Sequence, residues 1–145
     1  MILNWYKKND VQKFTLAGYA GTGKTTLIKH IIEELKISKN EVAFATYTGK
    51  ASILLKQNNP DYHTSTIHRL CYDVDTNSKI VSFILKDKRE LNYLKLIIID
   101  EYSMITDELY KDIMSFGIKV LFVGDIGQLP PIGKDNNAIG EPDFI

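Results

Sequence analysis

Phe14-Thr15-Leu16-Ala17 runs directly into Gly18-Tyr19-Ala20-Gly21-Thr22-Gly23-Lys24-Thr25, and this is followed by Leu27, Ile28, Ile31, Ile32 and Leu35 at helical spacing. The order is an apolar extended run, a glycine-rich turn matching G-x-x-x-x-G-K-[ST], and an amphipathic helix. Gly18, Gly21 and Gly23 let the turn wind tightly, so that successive backbone N–H groups point inward and the positive end of the helix faces the same anion. Lys24 is placed to bridge the β- and γ-phosphates of a nucleoside triphosphate, and the Thr25 hydroxyl to ligate Mg²⁺. The candidate nucleotide-binding residues are Gly21, Thr22, Gly23, Lys24, Thr25 and Thr26. A turn that only caps a helix has no need of Lys-Thr at this spacing.

Further apolar runs follow at Val42 to Ala45, Leu96 to Ile99 and Val120 to Val123. They are continuous rather than alternating, as expected of strands covered on both faces in a parallel sheet. Leu109, Tyr110, Ile113 and Met114 repeat with helical spacing, with Thr106 as N-cap, Asp107 and Glu108 in the first turn and Gly117 as the stop. The pattern predicts an α/β domain: a central parallel sheet with helices on both faces. Ile2 to Lys8 reads as a short helix entering the first strand. Cys71 to Leu85, with Thr76-Asn77-Ser78 between two β-prone stretches, is a candidate hairpin, and being short it reads as a simple connection in function. Past Pro130 the chain becomes rich in Pro, Gly, Asn and Asp and loses periodicity.

The chain has 145 residues, 44% of them hydrophobic, with eighteen basic and eighteen acidic side chains that cancel. That suits one domain, burying roughly 70% of its unfolded surface. Neutrality gives no overall attraction to nucleic acid or a membrane, so any binding of nucleic acid has to be local. The lone Cys71 excludes an internal disulfide framework and points to the reducing cytosol. No apolar run reaches the ~20 residues of a membrane span.

Ile97-Ile98-Ile99-Asp100-Glu101 delivers two carboxylates at the end of a buried strand, the edge at which open α/β sheets bind ligands. Asp100 is the candidate to hold Mg²⁺, and Glu101 the candidate to take a proton from attacking water. Val120 to Val123 leads into Gly124-Asp125-Ile126-Gly127-Gln128-Leu129-Pro130-Pro131. Gln128 could reach a γ-phosphate or its water without adding charge, although Gly-Asp before Pro-Pro is also an ordinary exit from a strand.

Together these residues, with Ala45-Thr46-Tyr47-Thr48-Gly49-Lys50-Ala51-Ser52, Thr64-Ser65-Thr66-Ile67-His68-Arg69-Leu70 and Asp100-Glu101-Tyr102-Ser103-Met104, resemble the superfamily 1 (1B) DNA helicases of the RecD-like branch. Five motifs stand in the family order over roughly residues 13 to 133. The resemblance implies a RecA-like domain, the first of a two-domain motor, with ATP and Mg²⁺ as cofactors, single-stranded DNA as partner and 5′-to-3′ polarity. It implies that Thr48, Gly49, Lys50, Thr66 and His68 line the DNA track, and that the catalytic set is Lys24, Asp100, Glu101 and Gln128. His68 reads equally well as a packed helix residue. The strand leading to Gln128 is implied to lie between the one before Lys24 and the one ending in Asp100. The family's upstream adenine-reading Gln and its second RecA-like domain fall outside these 145 residues, so the expectation is a first motor domain with little activity alone, whether excised, a truncated gene product or one part of a split enzyme. A non-translocating ATPase switch and a non-catalytic nucleotide- or DNA-binding module are the alternative readings.

Overall fold

The structure, a computed structural model, describes residues 2–8, 11–18, 24–77, 79–125 and 143. Among them the order is α1 (Ile2–Lys7), β1 (Lys13–Gly18), α2 (Lys24–Glu34), β2 (Val42–Thr46), α3 (Gly49–Asn58), β3 (His63–Thr66), α4 (Ile67–Cys71), β4 (Tyr72–Asp75), β5 (Ser82–Leu85), α5 (Lys88–Leu91), β6 (Leu96–Asp100), α6 (Asp107–Met114) and β7 (Val120–Asp125). Short 3₁₀ turns precede β2, at Lys39–Glu41, and link β6 to α6, at Tyr102–Met104.

Five strands form a parallel sheet in the order β1-β7-β6-β2-β3. The four apolar runs are β1, β2, β6 and β7, and the strand leading to Gln128 does lie between the other two. β3 is an addition: His63-Thr64-Ser65-Thr66 has no apolar run, and it pairs with β2 at the sheet's edge, where only partial burial is needed. In β6, Leu96 and Ile98 point to one face with Phe14, Phe44 and Leu121, against Ile28, Ile32 and Leu55 of α2 and α3. Ile97 and Ile99 point to the other, against Ile67, Leu91, Leu109 and Ile113 of α4, α5 and α6. Two cores, one per face, explain the continuous apolar runs. On α2 the buried positions are Ile28, Ile31 and Ile32, whereas Leu27 is exposed.

Local signals act as read. The Thr106 hydroxyl accepts from the Leu109 amide at 3.2 Å, and Gly117 adopts φ +72° after α6. At the opposite end of the sheet, the Lys119 ammonium donates to the carbonyls of Trp5, Lys8 and Val11 and lies over the Trp5 ring, anchoring α1 through its negative end. Cys71 to Leu85 contains the hairpin that its two β-prone stretches suggest: β4 and β5 pair antiparallel, Tyr72 opposite Leu85 and Val74 opposite Phe83.

Candidate nucleotide and DNA sites on one sheet edge

Because the five strands are parallel, their carboxyl ends share one edge. In spatial order, that edge carries Gly18 and the start of α2, then Asp125 on the way to Gln128, then Asp100-Glu101, then Thr46 to Lys50, then Thr66 to His68. Neighbouring strands are about 4.8 Å apart, so the edge spans roughly 19 Å from β1 to β3. The register aligns Gly18 with Asp125, Asp100 with Val123, and Thr46 with Asp100.

On the first flank, α2 begins at Lys24, so its positive end opens at the edge where Gly18 leaves β1. Lys24 and Thr25 form its first turn, and Thr26 is exposed. Gly21, Thr22, Gly23 and Gln128 lie outside the described residues. Asp100 is half-buried and its Oδ1 accepts from the Glu101 amide at 3.1 Å. Glu101 adopts φ 58°, ψ 57°, a left-handed conformation that costs a non-glycine residue about 1–2 kcal/mol and turns the chain sharply out of the sheet. The Asp100 carboxylate is a hard oxygen donor, the class that Mg²⁺ takes, and the start of α2 opens on the same sheet edge, where a helix N-terminus suits a polyphosphate. These two features fit Mg-nucleotide.

On the second flank, Thr46 is fully buried and its hydroxyl donates to the Thr48 carbonyl at 2.9 Å, shaping the turn out of β2. Thr48 caps α3 by accepting from the Ala51 amide at 3.2 Å, and Thr48, Gly49 and Lys50 are all exposed. Thr66 caps α4 in the same way, accepting from the Arg69 amide at 3.1 Å. Two capped helix starts on neighbouring strands thus face one side. His68 is half-buried: its ring lies 5.9 Å from Tyr47, 5.6 Å from Tyr72 in a stack, and 6.0 Å from Phe83. It is a packed helix residue, the alternative left open from sequence, and it joins the turn after β2 to the hairpin. Tyr72 donates its hydroxyl to Asp112 of α6; burial first, and then this bond, push its pKa well above the usual tyrosine value.

The hairpin has two unlike faces. Tyr72, Val74, Phe83 and Leu85 share one, and Asp73, Asp75, Ser82 and Ile84 the other. Val74, Phe83 and Ile84 are each more than half exposed. Thr66 and His68 are named from the sequence, but the packing of His68 against Tyr47, Tyr72 and Phe83 is not, because these residues meet only when β3, α4 and the hairpin fold together.

A family model described as an AAA domain matches residues 7–134. The chain belongs to that family. The chain is similar to the uncharacterized protein R530 of Acanthamoeba polyphaga mimivirus, 31% identical over 95% of this chain and 33% of that one. It is also similar to the ATP-dependent DNA helicase dda of Enterobacteria phage T4, 33% identical over 91% of this chain and 30% of that one. Among solved structures it resembles a Pif1 helicase from Bacteroides in complex with ADP-AlF3 and single-stranded DNA, with a TM-score of 0.55 and 28% identity over 92% of this chain and 33% of that one. The resemblance to the 1B helicase branch and the RecA-like fold are both borne out. The chain spans a third or less of the length of the curated relatives it matches. Among the described residues no helix is long and apolar enough to cross a membrane.

Proposed function

We propose that residues 1–145 form a single RecA-like domain, the ATP-binding motor domain of an ATP-dependent 5′-to-3′ DNA helicase of the cytosol, which binds Mg-ATP and grips single-stranded DNA. The observation that carries this reading is the strand order. It supports the reading because β1, which runs toward the glycine-rich sequence, β7, which runs toward Gln128, and β6, which ends in Asp100, are neighbours, and the two threonine-capped helix starts follow the next two strands. Polarity follows from the family resemblance.

In this reading each residue has one task. Backbone N–H groups from Gly21 to Thr25, with the positive end of α2, hold the phosphates, and Lys24 neutralises charge on the β- and γ-oxygens. Thr25 and Asp100 would hold Mg²⁺, which when bound draws electron density from the transferring phosphoryl group. Glu101 accepts the proton of the attacking water. Gln128 hydrogen-bonds near the γ-phosphate and reports its presence to the neighbouring flank. Thr48, Gly49 and Thr66 offer hydroxyls and N–H groups to DNA phosphates, and Lys50 adds a cation, a sequence-independent grip that suits a chain with no net charge. The apolar face of the hairpin, next to His68, is placed to meet unpaired bases.

A crossover of two lysine variants tests the reading. Titration calorimetry should show Lys24→Ala weakening Mg-ATP binding by roughly 1.5–3 kcal/mol while labelled oligo(dT) binds as before. Lys50→Ala should leave nucleotide binding intact, weaken oligo(dT), and lower the salt dependence by about 0.7 of a log unit per log unit of salt. The reverse pattern would overturn the assignment of the two flanks.

A further inference from the structure

The residue after the carboxylate pair, Tyr102, is the largest of the fully buried side chains among the described residues. Its ring meets Phe122 edge-on at 6.2 Å and lies flush against β7 at Gly124. A Cβ built on Gly124 would sit 2.6 Å from Cε1, 3.0 Å from Cδ1 and 3.3 Å from Cζ of that ring, so the seat exists only because residue 124 is glycine. Immediately before it, Glu101 holds its left-handed backbone without the glycine such a conformation favours. Strain of this kind persists only where the surroundings over-determine it, and the neighbour locked in place is Tyr102. The Tyr102 hydroxyl is buried and has no hydrogen-bond partner among the described residues, so the ring, not the hydroxyl, accounts for the seat.

We propose that Tyr102 is a positioning residue: its ring, seated on Gly124, holds the left-handed turn that aims the Glu101 carboxylate, and so ties the end of β6 to the exit of β7. The inference rests on the hydrolytic reading of Glu101 and adds to it a dependence of that carboxylate on the strand that leads to Gln128. The phosphate contacts at the start of α2, which lie on the other side of β7, do not depend on it.

Three variants of the 145-residue chain test it, read by backbone shifts, hydrolysis and ADP affinity. Backbone chemical shifts report φ at residue 101. Single-turnover hydrolysis of Mg-ATP with protein in excess, using Lys24→Ala as the blank, reports the carboxylate's work. Gly124→Ala and Tyr102→Leu should both move Glu101 out of the left-handed region and slow hydrolysis tenfold or more, with ADP affinity within twofold of the parent. Tyr102→Leu keeps an apolar filler and carries the test if Gly124→Ala fails to fold. Tyr102→Phe keeps the ring, and should keep both the turn and the rate within twofold. A Glu101 that stays left-handed in Tyr102→Leu, a displaced Glu101 with unchanged hydrolysis, or a Phe variant as impaired as the Leu variant would each overturn the proposal. A parent chain no faster than Lys24→Ala would instead remove the hydrolytic reading, and the backbone shifts would still decide whether Tyr102 holds the turn.

Discussion

The carboxyl ends of β6 and β7 stand on a different foundation from those of β3 and the hairpin. β6 and β7 are buried on both faces along almost their whole length, whereas β3 is partly exposed and the hairpin largely so. The difference matches the chemistry proposed for each flank. In-line attack on a phosphoryl group tolerates little displacement of its carboxylates, so they sit on strands that cannot shift without opening two cores. A sequence-independent hold on a polyanion needs only N–H groups, hydroxyls and a cation facing one way, which capped helix starts on an edge strand provide.

The largest effect expected from this contrast is kinetic and confined to the rigid flank. Glu101→Gln should reduce Mg-ATP hydrolysis by about 10²–10⁴ while calorimetry finds nucleotide binding close to the parent's. Equal loss of binding and rate would make Glu101 a binding group and blur the distinction. Next in size is stability. Phe122→Ala, which empties a fully buried position in β7, should cost about 3–5 kcal/mol in urea unfolding, since large cavities in cores cost that much. Smaller is the loss of a helix cap: Thr106→Ala and Thr48→Ala should each cost about 1 kcal/mol, and only Thr48→Ala should also weaken oligo(dT). Smallest is Ile84→Ser on the exposed hairpin, expected to stay within about 0.5 kcal/mol of the parent. A cost there like that of Phe122→Ala would show that the hairpin is part of the rigid body and not an appendage to it.

The same contrast governs what could be read in advance. β1, β2, β6 and β7 announce themselves because burial on both faces demands unbroken apolar runs, and Thr106 and Gly117 mark α6 through local chemistry alone. β3 is silent because an edge strand may be His-Thr-Ser-Thr and still satisfy its backbone through β2. The hairpin shows in its β-prone stretches, but its attachment through Tyr72 to Asp112, 40 residues further on, does not. Phosphate and carboxylate chemistry is legible because it depends on residue type at fixed spacing. The seat of Tyr102 on Gly124 is not, since it pairs positions on two different strands whose adjacency only the sheet order creates.

The central claim is that one sheet edge holds two separable sites. Amide spectra of the ¹⁵N-labelled chain, titrated with Mg-ADP and separately with oligo(dT), test it most directly. The account predicts that Mg-ADP moves the amides of Gly18, Thr26, Asp100 and Asp125, that oligo(dT) moves those of Thr48, Lys50, Thr66 and His68, and that the two sets meet only near Thr46 and Asp100, which are paired in register. Shifts from both ligands falling on the same strands, or nucleotide shifts centred on β2 and β3, would contradict it.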